Sequence, residues 1–295
     1  MKNIGFIGLG SMGMGMAINL VKNGFKVKGF DLREEKRTQF ESHGGISVAS
    51  VEEAANGSDA VFLMVMNGQQ VIDIIEGSLK ESLAKNATVI VSATIGRNYM
   101  KQAETLLLEA GAQTIDMPVS GGPIGADSGT LTLMAAAKKD VFEQHYDILE
   151  AIGEKIYHVG EEIGLGQVVK SCLQGMMGPV YEGLFEALVL GSKAGLDPSI
   201  LSTVINDSML GSRLTKNATN FILQRKFENT GSHIDTMYKD LSISVDLAKE
   251  LEVPMFAATA ALQMFRSAKT VYPNGENWSI VQVLEKLANT EVKSK

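Results

Sequence analysis

The sequence predicts an α/β fold: a doubly wound parallel sheet in the first half, followed by an all-α second half. Three observations carry that expectation. An apolar run, Ile4, Phe6 and Ile7, enters a glycine-rich turn, and an amphipathic helix leaves it. Unbroken apolar segments then alternate with helically spaced ones, as parallel strands buried on both faces require. From Gly166 onward strand signals stop and helical spacing continues.

The first turn reads Gly8-Leu9-Gly10-Ser11-Met12-Gly13, the G-x-G-x-x-G spacing. The first glycine permits the tight turn, the second lets backbone approach a pyrophosphate, and the third lets helix pack closely on strand. An anion then sits on the N–H groups at the helix N-terminus. With a strand before and a helix after, this predicts a Rossmann-type dinucleotide site, with Leu9, Ser11 and Met12 in its loop. Lys26–Phe30 is expected as the second strand, ending at Asp31, 23 residues past Gly8. A carboxylate there accepts from the ribose hydroxyls and repels a 2′-phosphate, which favours NAD over NADP. Arg33, two residues on, is a guanidinium that could reach such a phosphate. Asp31 is also placed to cap a helix beginning at Arg33-Glu34-Glu35.

Asp59–Met66 and Thr88–Ala93 are the next expected strands, and Asn98–Ala110 has helical spacing. Ligands of such sheets bind beyond the carboxyl ends of the strands, which puts Met66, Asn67 and Thr94 on the cofactor edge. Gln113–Pro118 reads as a further strand running into Val119-Ser120-Gly121-Gly122-Pro123. A glycine-dense loop with a hydroxyl suits a carboxylate or a developing alkoxide, and equally a wide turn. Thr130–Ala137 is the expected returning strand and Val141–Ile152 a helix.

In the second half, Gln167–Ala194 reads as one helix roughly 40 Å long, kinked or divided at Pro179. Further helices are expected at Pro198–Asn206, Leu214–Leu223, Ile234–Leu251, Pro254–Ala268 and Trp278–Ala288. No Ser/Thr/Gly linker separates the halves, so the long helix itself joins a domain of residues 1–162 to one of 163–295.

Composition excludes several classes. The 295 residues carry a net charge of −7 with no block of five like charges, which argues against nucleic acid and anionic membrane. No apolar run approaches the ~20 residues that span a bilayer. One cysteine, Cys172, forms no internal disulfide and suits a reducing compartment. Nothing near Lys2-Asn3 resembles a secretory signal, so the expected location is cytoplasmic. The four histidines show no metal-ligand spacing, and no metal site is expected.

Lys170 is the unusual charge. It lies one turn into the long helix among Val168, Val169, Cys172 and Leu173, with Gln174 one turn further. Lysine is almost never fully buried without a partner, so an amine here is a candidate for proton transfer. Lys239-Asp240 lies in another helical run.

Four segments match a known family in order and spacing. They are the opening glycine loop, Asp116-Met-Pro-Val-Ser-Gly-Gly, Gly164-x-Gly-x-x-x-Lys170 and Lys239-Asp240-Leu241. Together the chain resembles the β-hydroxyacid dehydrogenases, over essentially its whole length. The resemblance implies a Rossmann domain followed by a helical substrate and oligomerisation domain on a long interdomain helix, assembled as a homodimer or homotetramer. It implies that Lys170 is catalytic, that Ser120, Gly121 and Gly122 bind substrate, and that Met66, Asn67, Thr94 and Lys239 face the cofactor. Many relatives carry asparagine three or four positions after the lysine; Leu173 and Gln174 stand there, and Gln174 can donate an amide hydrogen bond to substrate instead. Val65-Met66-Asn67 replaces the usual Met-Leu-Pro. With Ser92-Ala93-Thr94 and Ala261-Leu262-Gln263-Met264-Phe265, this looks most like the L-threonate dehydrogenase branch.

The expected reaction is hydride transfer between the nicotinamide and a small hydroxy acid. Neutral Lys170 accepts the hydroxyl proton in oxidation, and its protonated form returns it in reduction. Two alternatives stand beside it: an imine or short-chain aldehyde reductase on the same scaffold, and a regulatory protein that binds NAD without turnover.

Overall fold

Nine strands form one sheet in the computed structural model, which describes residues 2–294. They are β1 (Asn3–Ile7), β2 (Lys26–Phe30), β3 (Ile46–Ser47), β4 (Ala60–Leu63), β5 (Thr88–Val91), β6 (Gln113–Asp116), β7 (Val119–Ser120), β8 (Leu131–Ala136) and β9 (Gly153–Gly160). The order is β3-β2-β1-β4-β5-β6-β8-β7, with β9 paired to β8. Strands β1 to β6 pair in parallel, β8 runs antiparallel to β6 and β7, and β9 lies parallel to β8. The order reverses between β1 and β4, the switch point at which doubly wound sheets bind ligands.

Helices of this half are α1 (Gly13–Lys22), α2 (Glu34–Ser42), α3 (Val51–Ala55), α4 (Gly68–Ile74), α5 (Lys80–Ser82), α6 (Arg97–Glu109), α7 (Gly122–Ser128), α8 (Lys139–Gln144) and α9 (Tyr146–Glu150). They cover both sheet faces. Ile4, Phe6, Phe62 and Ile90 belong to one buried cluster, and Val61, Leu63, Val89 and Val91 to another. The period of two along each strand sends alternate residues to opposite layers, which is why these strands read as unbroken apolar runs.

Several boundaries differ from the sequence reading. The strands expected at Asp59–Met66 and Thr88–Ala93 end at Leu63 and Val91, because the chain turns into the ligand-side loops there. The wide loop expected after Ser120 contains the seven-residue helix α7, opened by Gly121 at φ 136° and closed by Gly129 at φ 67°. The single helix expected over Val141–Ile152 breaks at His145. Strand β9, half-exposed and mostly polar, carries no apolar signature and was not anticipated.

The chain divides into two compact units, one ending at Lys170 and the other beginning at Ser171. The long helix α10 (Leu165–Lys193) crosses that boundary. Of the two expected effects of Pro179, a kink or a division, division does not occur: the helix runs through it. In the second unit Gly178 lets α10 approach closely; a Cβ there would lie 2.8 Å from the Leu241 side chain.

That unit is completed by α11 (Pro198–Asp207), α12 (Arg213–Leu223), α13 (Ile234–Glu250), α14 (Phe256–Val271) and α15 (Ile280–Ala288), the last preceded by a short 3₁₀ turn. Asp197, Ser212 and His233 cap α11, α12 and α13 with their side chains. Its core gathers Phe185, Leu188, Leu241, Phe265 and Trp278. Among the described residues no helix is long and apolar enough to cross a membrane.

Candidate active site

One row of residues defines the ligand edge of the first unit. Register pairs join Phe30 to Ile7, Ile7 to Leu63, Leu63 to Val91 and Val91 to Asp116. The five parallel strands therefore end in line. The segments that leave them carry the glycine loop, Asp31, Met66-Asn67, Thr94 and Ser120. The sequence-predicted residues of this unit are thus gathered on one edge.

The glycine loop is held from both sides. The Gly8 N–H donates to the Phe30 carbonyl at 2.8 Å, and the Leu9 N–H donates to Asp31 Oδ2 at 2.9 Å. Leu9 itself is a core residue, so its part in the loop is to anchor it. Gly8 takes φ 97°, with Met64 carbonyl oxygen 2.3 Å from where a Cβ would be; at Gly13 the Gly8 carbonyl oxygen would lie 1.9 Å away. Gly10 differs. Its Cβ position meets nothing closer than the Arg33 guanidinium at 3.8 Å. The loop is sterically closed at its first and third glycines and open over the second. This open face lies beside the first turn of α1, where Ser11 is exposed and Met12 half-buried. The cradle fits a pyrophosphate.

Asp31 is buried at the end of β2 and does not cap α2, whose cap position is Arg33 with no side-chain cap bond. Its carboxylate instead accepts from Leu9 and from the backbone and Nε of Arg33, both at 3.0 Å. Burial raises the Asp31 carboxyl, and the Arg33 and Leu9 hydrogen bonds outweigh it, holding the group below the usual carboxylate range. Arg33 remains half-exposed, tethered across the open glycine. Met66 and Asn67 are exposed, and Asn67 caps α4 by accepting from the Gln70 N–H at 2.9 Å. Thr94 is half-buried after β5.

Ser120 ends β7, half-buried, and Gly121 and Gly122 follow it exposed, at φ 136° and 62°. Lys170 is 7% exposed, and its Nζ donates to the Val119 carbonyl at 2.9 Å, one residue before Ser120. The arrangement places an amine beside a hydroxyl-bearing loop on the ligand edge, where it can exchange a proton with a bound hydroxyl.

Two buried polar residues beside this edge were not singled out by the sequence reading. Asp116 is fully buried, and burial pushes its carboxyl up to about 6 against the pull of hydrogen bonds from Gln167 and the backbone of Gly164 and Gly166. Gln167, also buried, bonds to Asp116 and to the chain around Thr94. The available signal was a carboxylate closing the apolar strand Thr114-Ile115-Asp116, a place where an unpaired charge is costly.

In the second unit, Asp240 of α13 is buried and holds two predicted residues. Gln174 Nε2 donates to its Oδ2 at 2.7 Å, and Lys239 Nζ pairs with its Oδ1 at 2.7 Å. One of the two amide hydrogens of Gln174 is therefore engaged by Asp240. Its buried Oε1 finds no hydrogen-bond partner among the described residues.

Residues 3–160 match the family model described as the NAD binding domain of 6-phosphogluconate dehydrogenase. Residues 164–284 match that described as NAD-binding of NADP-dependent 3-hydroxyisobutyrate dehydrogenase. The chain is 35% identical over 282 residues to an L-threonate dehydrogenase of Cupriavidus necator, covering 95% of each chain. It is 35% identical over 294 residues to a 2-(hydroxymethyl)glutarate dehydrogenase of Eubacterium barkeri, covering 98% of this chain and 97% of the other. The crystal structure of a 3-hydroxyisobutyrate dehydrogenase from Salmonella typhimurium superposes with a TM-score of 0.89 at 27% identity, over 96% of this chain and 100% of that one.

Proposed function

The chain belongs to the β-hydroxyacid dehydrogenase family, and from that premise we propose that it oxidises a small polyhydroxy acid of the L-threonate type with NAD. The observation that carries the reading is the buried Lys170 amine, 2.9 Å from the carbonyl of Val119, the residue before Ser120.

Bound NAD supplies the hydride acceptor. Gly10 and the N–H groups of Ser11 and Met12 would hold its pyrophosphate. Asp31 takes the ribose hydroxyls, which favours NAD over NADP, and Met66, Asn67 and Thr94 line the same edge. Ser120 and the backbone N–H groups of Gly121 and Gly122 hold the substrate carboxylate. The Lys170 amine accepts the proton of the reacting hydroxyl as its carbon is oxidised and returns it in the reverse direction. The roles of Gln174 and Lys239 rest on family resemblance: Gln174 donates an amide hydrogen bond to substrate, and Lys239 serves the cofactor.

The same reading takes residues 1–162 as the dinucleotide domain and 163–295 as the substrate and oligomerisation domain of a cytoplasmic homodimer or homotetramer. The test is NAD reduction measured across L-threonate, D-glycerate and 3-hydroxyisobutyrate, with an imine panel alongside. Fastest turnover of L-threonate supports the assignment; turnover of imines alone contradicts it.

A further inference from the structure

Three parts of the proposed site meet at one buried side chain that the reaction above does not use. The carboxamide of Gln167 is 1% exposed. Its Oε1 accepts from the N–H groups of Ile95 at 2.9 Å and Gly96 at 3.1 Å. Its Nε2 donates to the Ala93 carbonyl at 3.2 Å and to Asp116 Oδ1 at 2.9 Å. A carboxamide has two donor hydrogens and two acceptor lone pairs, and all four are engaged. They fasten the chain on either side of Thr94 to the first turn of α10.

Asp116 makes the second half of this clamp. Its Oδ2 accepts from the Gly164 N–H at 2.9 Å and the Gln167 N–H at 3.2 Å. These are open donors at a helix N-terminus, where a negative charge is favourable. Gly166 permits the approach, because a Cβ there would lie 2.7 Å from the Asp116 carbonyl oxygen. Each of these contacts brings a donor to the carboxylate, so an acceptor-only side chain suits it. Lys170 is three residues along the helix from Gln167, on the same face. Val119, three residues along the chain from Asp116, accepts the lysine amine. The helix is tied to this strand end twice, once through the clamp and once through the amine.

We propose that Gln167 is a positioning residue: its carboxamide, held between Asp116 and the backbone at 93–96, sets the Lys170 amine against the Ser120 loop and the Thr94 edge. Removing the carboxamide leaves two buried N–H groups and a buried carboxylate short of partners. Displacing the first turn of α10 relieves that cost, and the lysine moves with it. A misplacement of ~1 Å can lower a rate by as much as ~10²-fold. The inference rests on the lysine reading given above, so its test keeps the two separable.

Four variants are compared with the unaltered enzyme: Gln167→Leu, Gln167→Glu, the double substitution Asp116→Asn with Gln167→Glu, and Lys170→Ala. Turnover per folded site, both KM values and Tm are measured with NAD and whichever acid of the panel is oxidised fastest. Gln167→Leu is expected to lower kcat about ten-fold or more, beyond any loss of folded protein. Gln167→Glu sets one carboxylate against another and falls at least as far. In the double variant the introduced asparagine amide donates to the new carboxylate, and kcat recovers at least about three-fold over Gln167→Glu alone. This last pair decides the matter even where Gln167→Leu fails to fold. Unchanged kcat per folded site in Gln167→Leu with only a lower Tm, or a double variant no better than Gln167→Glu, overturns the inference. Full turnover in Lys170→Ala overturns the lysine reading and the inference with it. An inactive Lys170→Ala beside an unimpaired Gln167→Leu overturns the inference alone.

Discussion

The Lys170 Nζ donates to the Val119 carbonyl at 2.9 Å, which ties the long helix to the strand end that leads into Ser120. The residue is 7% exposed, so the amine is sheltered from water. The bond fixes the direction in which the side chain presents its amine to the adjoining loop.

The three glycines of the opening turn have separable purposes. At Gly13 a methyl group would strike the Gly8 carbonyl oxygen at 1.9 Å, whereas at Gly10 it meets only Arg33 at 3.8 Å. Gly13→Ala is expected to destabilise the protein by about 3 kcal/mol, an overpacking cost. Gly10→Ala should keep stability within ~0.5 kcal/mol and weaken dinucleotide binding about ten-fold or more, since the space it fills is the one a pyrophosphate needs. Urea unfolding and cofactor titration of both variants check this; equal stability losses would contradict it.

The Asp31–Arg33 pair bears on cofactor choice. The carboxylate holds the guanidinium over the glycine loop, with Nε at 3.0 Å. Arg33→Ala removes the cation that a 2′-phosphate would use and leaves the ribose acceptor in place. The variant is expected to lose about ten-fold in kcat/KM with NADP and to stay within about three-fold with NAD. An equal loss with both cofactors would show that Arg33 serves only to orient Asp31.

Two buried groups titrate with opposite consequences for stability. Burial pushes His145 down to about 4, helped by the nearby Lys2 charge. Between its ordinary 6.5 and that value the unfolded chain binds the proton first, so acidification costs stability. Asp116, raised to about 6 from 3.8, binds its proton first in the native state, so acidification through that window adds stability. A His145→Gln variant removes the first effect alone. From pH 7.5 to 5 its stability relative to the unaltered protein should rise by about 2 kcal/mol, read from urea unfolding at each pH. A difference independent of pH would mean that the histidine is not buried neutral.

Much of this site was legible because its signals are local. The Gly8–Gly13 spacing, the carboxylate after β2 and the lysine among apolar neighbours are each set by a backbone or solvation demand that acts at one position. The helices of the second unit were equally plain from their apolar spacing, and α11 and α13 begin at the expected Pro198 and Ile234. What stayed hidden depends on residues far apart in sequence. Asp116 and Gln167 are separated by 51 positions, and neither contact leaves a periodic trace. Gln174 bonds to Asp240, 66 residues on, a contact that its neighbours in sequence do not announce. Helix α7 was masked by its own composition, since Gly122, Pro123 and Gly125 read as turn residues although the segment closes one helical stretch.

The most direct measurement is turnover and cofactor binding in Lys170→Ala. With NAD and a substrate acid at saturation, kcat should fall at least ~10²-fold, while the dissociation constant for NAD stays within about three-fold, because the cradle at Gly8–Gly13 does not include the lysine. A variant that oxidises the acid at a near-normal rate would contradict the account, since the proton would then leave by some other group.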